Sequence, residues 1–146
     1  MANKEKTEVA ERCAHRNLKH TVRSVTQHYD GWLAESGVRI TQFTLLVACS
    51  LQGPVTVSEL AERIGMDRTT LTRNLKPLER DGLLEILTHE SDARVRVVQI
   101  TGEGETTIAR AYPLWQMAQE EVTQGLDDEG YENLLQYLER LQTSAH

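Results

Sequence analysis

Six side chains between residues 68 and 76 have the chemistry to meet a nucleic acid: Arg68, Thr69, Thr70, Thr72, Arg73 and Lys76. A guanidinium can donate two parallel hydrogen bonds to guanine. A threonine hydroxyl reaches a base edge or a phosphate, and an ammonium neutralises phosphate charge. Leu71, Leu75 and Leu78 are spaced by four and three, the stripe that a helix buries, and the six polar residues lie off it. No Asp or Glu stands between Arg68 and Lys76, although the chain carries 22 acids against 16 Lys and Arg. A solvated helix face of ordinary charges is the bland alternative, so the neighbouring elements have to decide.

Thr56-Val57-Ser58-Glu59 is a capping box that opens a helix through Leu60, Ala61 and Ile64 to Gly65. Asp67 is a good cap for the next helix, which ends near Asp81-Gly82. Two helices joined by a short turn containing Gly outline a helix-turn-helix. Beyond Gly82 the period changes. Leu83 to Thr88 and Val95 to Thr101 are short and rich in β-branched residues, so two strands are expected, with His89 to Arg94 as a polar hairpin tip.

Upstream, Leu18, Val22, Val25, Tyr29 and Trp32/Leu33 recur at helical spacing until Gly37. Thr41 is expected to cap a second helix with Phe43, Leu46, Val47 and Leu51 as its apolar set, stopped by Gly53-Pro54. Downstream, Thr101 caps a long helix with Glu103 and Glu105 in its first turn and a kink expected at Pro113. Asp127/Asp128 open a last helix bearing Tyr131, Leu134, Leu135, Leu138 and Leu141. The fold class expected is mainly α with a small two- to three-stranded β-wing.

Val57-Ser58-Glu59-Leu60-Ala61, Asp67-Arg68-Thr69-Thr70-Leu71-Thr72-Arg73, Leu78-Glu79-Arg80-Asp81-Gly82-Leu83, Asp92-Ala93-Arg94 and Ile100-Thr101-Gly102-Glu103-Gly104 follow one another in order and spacing. Together they resemble the multiple antibiotic resistance regulator (MarR) family of winged-helix repressors. The resemblance runs from about Leu18 to Leu141. It implies a single domain over 1–146, with dimerisation helices at 10–36 and 102–143 and a DNA-binding lobe at 41–101. It also implies a homodimer on a pseudo-palindromic site in double-stranded DNA, with a recognition helix in the major groove and a wing at the minor groove. Asp92 would orient Arg94 at the wing tip, and an arginine there reads groove width as well as charge. Arg96, one alternation further along the strand, is expected at a phosphate.

The resemblance also points to small aromatic acids as signals, bound between the dimer helices and the DNA-binding lobe. Arg16, Lys19, His20 and Arg23 could meet a carboxylate, with Phe43 and Trp32 as apolar walls, though a basic solvated face and core aromatics would look the same. A thiol-based redox sensor is the second reading. It rests on Cys13, near the start of the first helix, to whose thiolate Arg12, His15, Arg16 and Tyr29 could supply positive charge or a hydrogen bond. Cys13 is about two residues out of register with the reactive cysteine of peroxide-sensing relatives, roughly 200° around a helix. No cysteine in the last helices could resolve it, and Cys49 reads as a small core residue.

A winged helix used for protein interaction without DNA is the third reading, since the fold is reused. His15, His20 and His28 share no helical face, so no metal is expected, and no cofactor. No phosphate loop, metal-hydrolase motif or nucleophile elbow suggests an enzyme.

The net charge of −6 opposes a nucleic-acid partner if taken as a sum. Its distribution weakens the objection: residues 63–96 hold seven Lys/Arg and six Asp/Glu, while residues 97–146 hold two and nine. Affinity for DNA follows local phosphate neutralisation. The polar start, Met1 to Glu8, has no apolar signal segment, and nothing approaches the roughly 18 apolar residues of a membrane span. A cytoplasmic protein with no membrane partner is expected.

Overall fold

The computed structural model describes residues 2–145. In chain order the elements are α1 (Asn3–Arg12), α2 (Ala14–Leu33), a short 3-10 turn (Ala34–Ser36), α3 (Ile40–Gln52), β1 (Val55–Thr56), α4 (Val57–Ile64), α5 (Arg68–Arg80), β2 (Leu84–Thr88), β3 (Arg96–Ile100), α6 (Gly102–Thr123) and α7 (Asp128–Ser144). The chain divides into two compact units, Met1–His28 with Gln116–His146, and Tyr29–Trp115.

The Tyr29–Trp115 unit carries the main core. Leu33, Leu46, Leu60, Leu71, Leu75, Leu78, Leu84 and Val98 are essentially inaccessible to water. Each such side chain contributes roughly 1.5–3 kcal/mol of apolar burial. The leucines come from α2, α3, α4, α5 and β2, so this one cluster fixes α5 against the elements around it. The sheet order is β1-β3-β2, antiparallel throughout. Val98 sits in its centre, opposite Val55 on one side and Ile86 on the other. The two-residue β1 joins the strands expected from sequence as a third member.

Local chemistry explains the helix ends. Thr56 Oγ1 accepts from the Glu59 amide at 3.1 Å, and Glu59 Oε2 accepts from the Thr56 amide at 3.1 Å. Asp67 Oδ1 accepts from the Thr70 amide at 2.9 Å. Thr101 Oγ1 accepts from the Gly104 amide at 3.1 Å and donates to the Gly82 carbonyl at 2.7 Å, which ties the start of α6 to the end of the helix-turn-helix. Between α4 and α5, Gly65 adopts φ +66°, and the Met66 amide returns to the Ala61 carbonyl at 2.9 Å. That left-handed residue reverses the chain at a φ that would strain any residue with a side chain, although the space around it is open.

Three expectations need correction. Thr41 does not cap α3: the helix starts at Ile40, Gln42 Oε1 accepts from the Arg39 amide at 2.9 Å, and Asp30 Oδ1 accepts from the Ile40 amide at 2.8 Å. The buried face of α3 is Phe43, Leu45, Leu46 and Cys49, whereas Leu51 is 79% exposed. Burial pushes the Cys49 thiol up to about 11, as suits a small core residue. The first helical region is two helices, α1 and α2, broken at Cys13, and every described residue of α1 is exposed. Polar residues all round α1 left no apolar stripe to read. Pro113 lies inside α6, which runs from Gly102 to Thr123.

The other unit is held by side chains at the ends of its helices. His28 Nε2 lies 3.1 Å from Glu121 Oε2, and Gln119 Nε2 donates to the Tyr131 hydroxyl at 2.9 Å. Asp127 Oδ1 caps α7 from the Gly130 amide at 2.7 Å. Leu18, Val22, Leu134, Leu135, Tyr137 and Leu141 in this unit are exposed in the single chain. Among the described residues, no helix is long and apolar enough to cross a membrane.

Candidate nucleic-acid interface

Leu71, Leu75 and Leu78 are buried as the spacing requires, and their burial turns the opposite face of α5 outward. Arg68, Thr69, Thr72, Arg73 and Lys76 are exposed there, and Thr70 is half-buried. Among the described residues, Arg68, Arg73 and Lys76 make no ion pair, so their charges are available. Two of the threonines are less free than the sequence suggests. The Thr70 hydroxyl donates to the second oxygen of the Asp67 carboxylate, and the Thr72 hydroxyl donates to the Arg68 carbonyl at 2.8 Å. Each keeps a methyl group and an acceptor lone pair for a partner.

Two acids, Asp67 just before this face and Glu59 at the start of α4, are committed to backbone amides. The Thr70 hydroxyl and amide hold the Asp67 carboxyl below the usual carboxylate range, and Arg73 adds a smaller push. The Thr56 hydroxyl and amide do the same to Glu59. Both acids act as helix caps, and their negative charge complements the positive helix ends.

The hairpin tip is built around Asp92. Its Oδ1 accepts from the Arg94 amide at 3.0 Å and from Arg94 Nε at 3.2 Å, and Oδ2 accepts from Nη2 at 3.4 Å. The amide, then the guanidinium, lowers the Asp92 carboxyl below its ordinary range. Arg94 is nevertheless 91% exposed at its side chain, so Asp92 aims the guanidinium without covering it. The Ser91 amide donates to His89 Nδ1 at 3.2 Å, and the His89 amide to the Val95 carbonyl at 2.9 Å, which close the turn. Arg96 is exposed and donates to Thr88 Oγ1 across the hairpin at 2.8 Å.

The structure brings two of these groups together. Arg68 of α5, Arg94 and Arg96 of the hairpin, and Thr56, Ser58 and Glu59 at the start of α4 line one recess of about 420 Å³. Ser58 had no signal of its own in the sequence, because only the packing of α4 beside the hairpin places its hydroxyl there. Pro77 lies in the α5 interior, where it leaves the Arg73 carbonyl without its usual amide donor, yet the helix continues to Arg80.

The other sequence-derived candidates lie elsewhere. Arg16, Lys19, His20 and Arg23 are exposed on α2 within the Met1–His28 segment, and the Arg16 guanidinium donates to the Ala10 carbonyl. Phe43 and Trp32 belong to the other unit, Phe43 being only 4% exposed. Phe43, Thr44, Val47, Tyr112 and Trp115 line an apolar recess of about 240 Å³, in which Tyr112 stacks on Trp115 with ring centroids 5.8 Å apart. Cys13, half-buried, sits at the break between α1 and α2. No cluster of three or more His, Cys, Asp or Glu that could hold a metal occurs among the described residues.

Comparison with known proteins agrees with this architecture. The MarR family model matches residues 38–95. The transcriptional regulator MosR of M. tuberculosis, solved in complex with DNA, is 38% identical, with a TM-score of 0.83 over 91% of this chain and 96% of MosR. A mutant MarR from E. coli, complexed with operator DNA, is 21% identical and shares the fold, with a TM-score of 0.82 over 92% of this chain and 96% of that one. The HTH-type transcriptional regulator BilQ of Clostridium symbiosum is 30% identical over 83 residues, which span 57% of this chain and 58% of BilQ. The match to the family model, the extensive likeness to MosR and the helix-turn-helix with its hairpin lead to one assignment: the chain belongs to the MarR family of transcription regulators.

Proposed function

We propose that the chain is a cytoplasmic, DNA-binding repressor that works as a homodimer on a pseudo-palindromic operator. In this reading α5 enters the major groove and presents Arg68, Thr69, Thr70, Thr72, Arg73 and Lys76, while Asp92 aims Arg94 into the minor groove and Arg96 meets a phosphate. The observation that carries it is the exposed, acid-free face of α5, whose cations form no ion pair among the described residues. A protein-interaction module would have no need to hold an exposed Arg94 at the hairpin tip. The likeness to MosR, solved with DNA, supports the same partner. The exposed Leu134, Leu135, Tyr137 and Leu141 of α7 support a second copy as their cover.

Selection from a random duplex pool, combined with light scattering, tests both parts. The enriched sequence should be an inverted repeat whose half-sites are centred ~34–36 Å apart, or a small multiple, because the site shares the two-fold axis of the protein. A monomer at micromolar concentration would end the dimer reading, and a pool without enrichment would end sequence-specific binding.

For the release signal our reading is a small anionic aromatic acid. Arg16, Lys19 and Arg23 recur at helical spacing on α2 as exposed cations, with His20 exposed next to Lys19, and the recess at Tyr112 and Trp115 offers an aromatic wall within its own unit. A ligand acts only through differential affinity for the two states of the regulator. A salicylate-like acid should therefore weaken operator binding of wild type and Cys13→Ser alike, and truncating Arg16 or Arg23 should weaken the acid more than the DNA. Release by hydroperoxide that vanishes in Cys13→Ser would replace this signal with a thiol switch.

A further inference from the structure

Arg39 lies outside the helix-turn-helix in sequence, and its guanidinium takes no part in the caps, the core or the hairpin. It shares a cavity of about 470 Å³ with Arg73, the central cation of α5. Thr41, Gln42 and Leu45 of α3, and Asn74 and Pro77 of α5, complete the lining. No carboxylate lines it. Among the described residues, neither guanidinium forms an ion pair, and Arg39 is exposed. Asp30 is committed to the Ile40 amide and Asp67 to the start of α5, and neither belongs to the lining.

The remaining polar groups are mostly donors. Gln42 engages its amide oxygen with the Arg39 amide and carries an NH2 that can donate. Asn74 directs its NH2 toward Met66 Sδ at 3.6 Å and keeps its oxygen as an acceptor. Thr41 is exposed and offers a hydroxyl. Two like charges at one cavity, with further donors around them, favour an anion with several oxygens. A phosphodiester meets that description and would lie beside the residue that reads bases.

We propose that the cavity between the start of α3 and the middle of α5 is a phosphate site for the DNA backbone, with Arg39 as its principal cation. This rests on the DNA-binding reading above. It adds an anchor from α3, outside the recognition helix and the wing. Such an anchor fixes register and strength without carrying sequence information.

The test measures binding of the selected duplex and of a random duplex across a salt series for wild type, Arg39→Ala and Arg39→Lys. Thermal melting of each variant checks that the fold is kept. Arg39→Ala should weaken both duplexes by the same factor. It should also make the plot of log affinity against log salt shallower by about 0.9 for each phosphate that is no longer neutralised. Arg39→Lys should restore most of the slope, since charge is what the phosphate needs.

An unchanged slope in Arg39→Ala, with wild type binding DNA normally, would overturn this site and leave the DNA-binding reading standing. Failure of wild type to bind any duplex would overturn both. Inorganic phosphate, titrated alone, separates the sources: saturable binding that disappears in Arg39→Ala, alongside an unchanged DNA slope, would assign the cavity to a free anion and overturn the backbone site.

Discussion

Gly104→Ala is expected to be among the most damaging single substitutions in the chain, although it adds one methyl group. A Cβ at this position would lie 2.1 Å from the Leu83 carbonyl oxygen and 2.6 Å from Ile100 Cγ1. The first neighbour is backbone, and it also accepts from the Thr101 amide at 3.2 Å, so it has no rotamer by which to yield. The start of α6 would have to move away from the hairpin. Overpacking of this kind costs roughly 1–3 kcal/mol, and more where backbone must shift. For a chain of this size that is about 3–4 °C in melting temperature for each kcal/mol. Gly102→Ala is the internal control, because nothing lies within 4 Å of its added Cβ. It should be neutral or stabilising by up to about 1 kcal/mol, as its unfolded chain has less freedom to lose. Equal melting of Gly104→Ala and wild type would show that α6 does not rest on the Leu83 carbonyl.

The second large effect is expected in recognition. If Arg73 makes a bidentate hydrogen bond to a base, Arg73→Ala should reduce discrimination at that base pair by roughly 1–3 kcal/mol, and in a dimer the effect appears at both half-sites. Lys76→Ala should behave differently: it should weaken all sequences evenly and flatten the salt dependence by about 0.9 per phosphate left without its cation. The comparison needs only the preferred duplex and single-base variants of it, measured with both proteins. An Arg73→Ala protein that keeps the wild-type preference and margin would mean that another face of α5 reads the bases. Arg73 also lines the cavity shared with Arg39, so its truncation should alter the salt slope as well. Arg39→Ala should weaken every duplex alike and alter the slope, with discrimination between bases unchanged.

How much of this was legible in the chain depends on the range of the interaction concerned. The caps at Thr56, Asp67, Thr101 and Asp127 are visible in sequence because each acts three residues away, through a side chain whose chemistry admits few other uses. The stripe of Leu71, Leu75 and Leu78 follows from helical period alone, and with it the outward position of Arg68, Arg73 and Lys76. The Asp92–Arg94 pair spans two residues, so its hydrogen bonds are likewise local.

Pairings distant in sequence were not legible. In α3, period allowed more than one apolar face, and packing chose the one holding Leu45 and Cys49 while leaving Leu51 in solvent. β1 is two residues long, too short for any alternation to show, and exists because Val55 and Thr56 meet Val98 and Val97 on a strand far along the chain. Thr101-Gly102-Glu103-Gly104 contains two glycines of equal standing as text, and only the approach of Leu83 makes one of them irreplaceable. The amino-acid sequence by itself determined the helix-turn-helix, the hairpin and the chemistry of the face they present, because those depend on period and on local hydrogen bonds. Tertiary structure alone decided that Arg39 and Arg73 line one cavity, and that Ser58, Arg68, Arg94 and Arg96 line another. Those groupings arise where separate elements close on a common core, and no local pattern records which side chains will meet at its edge.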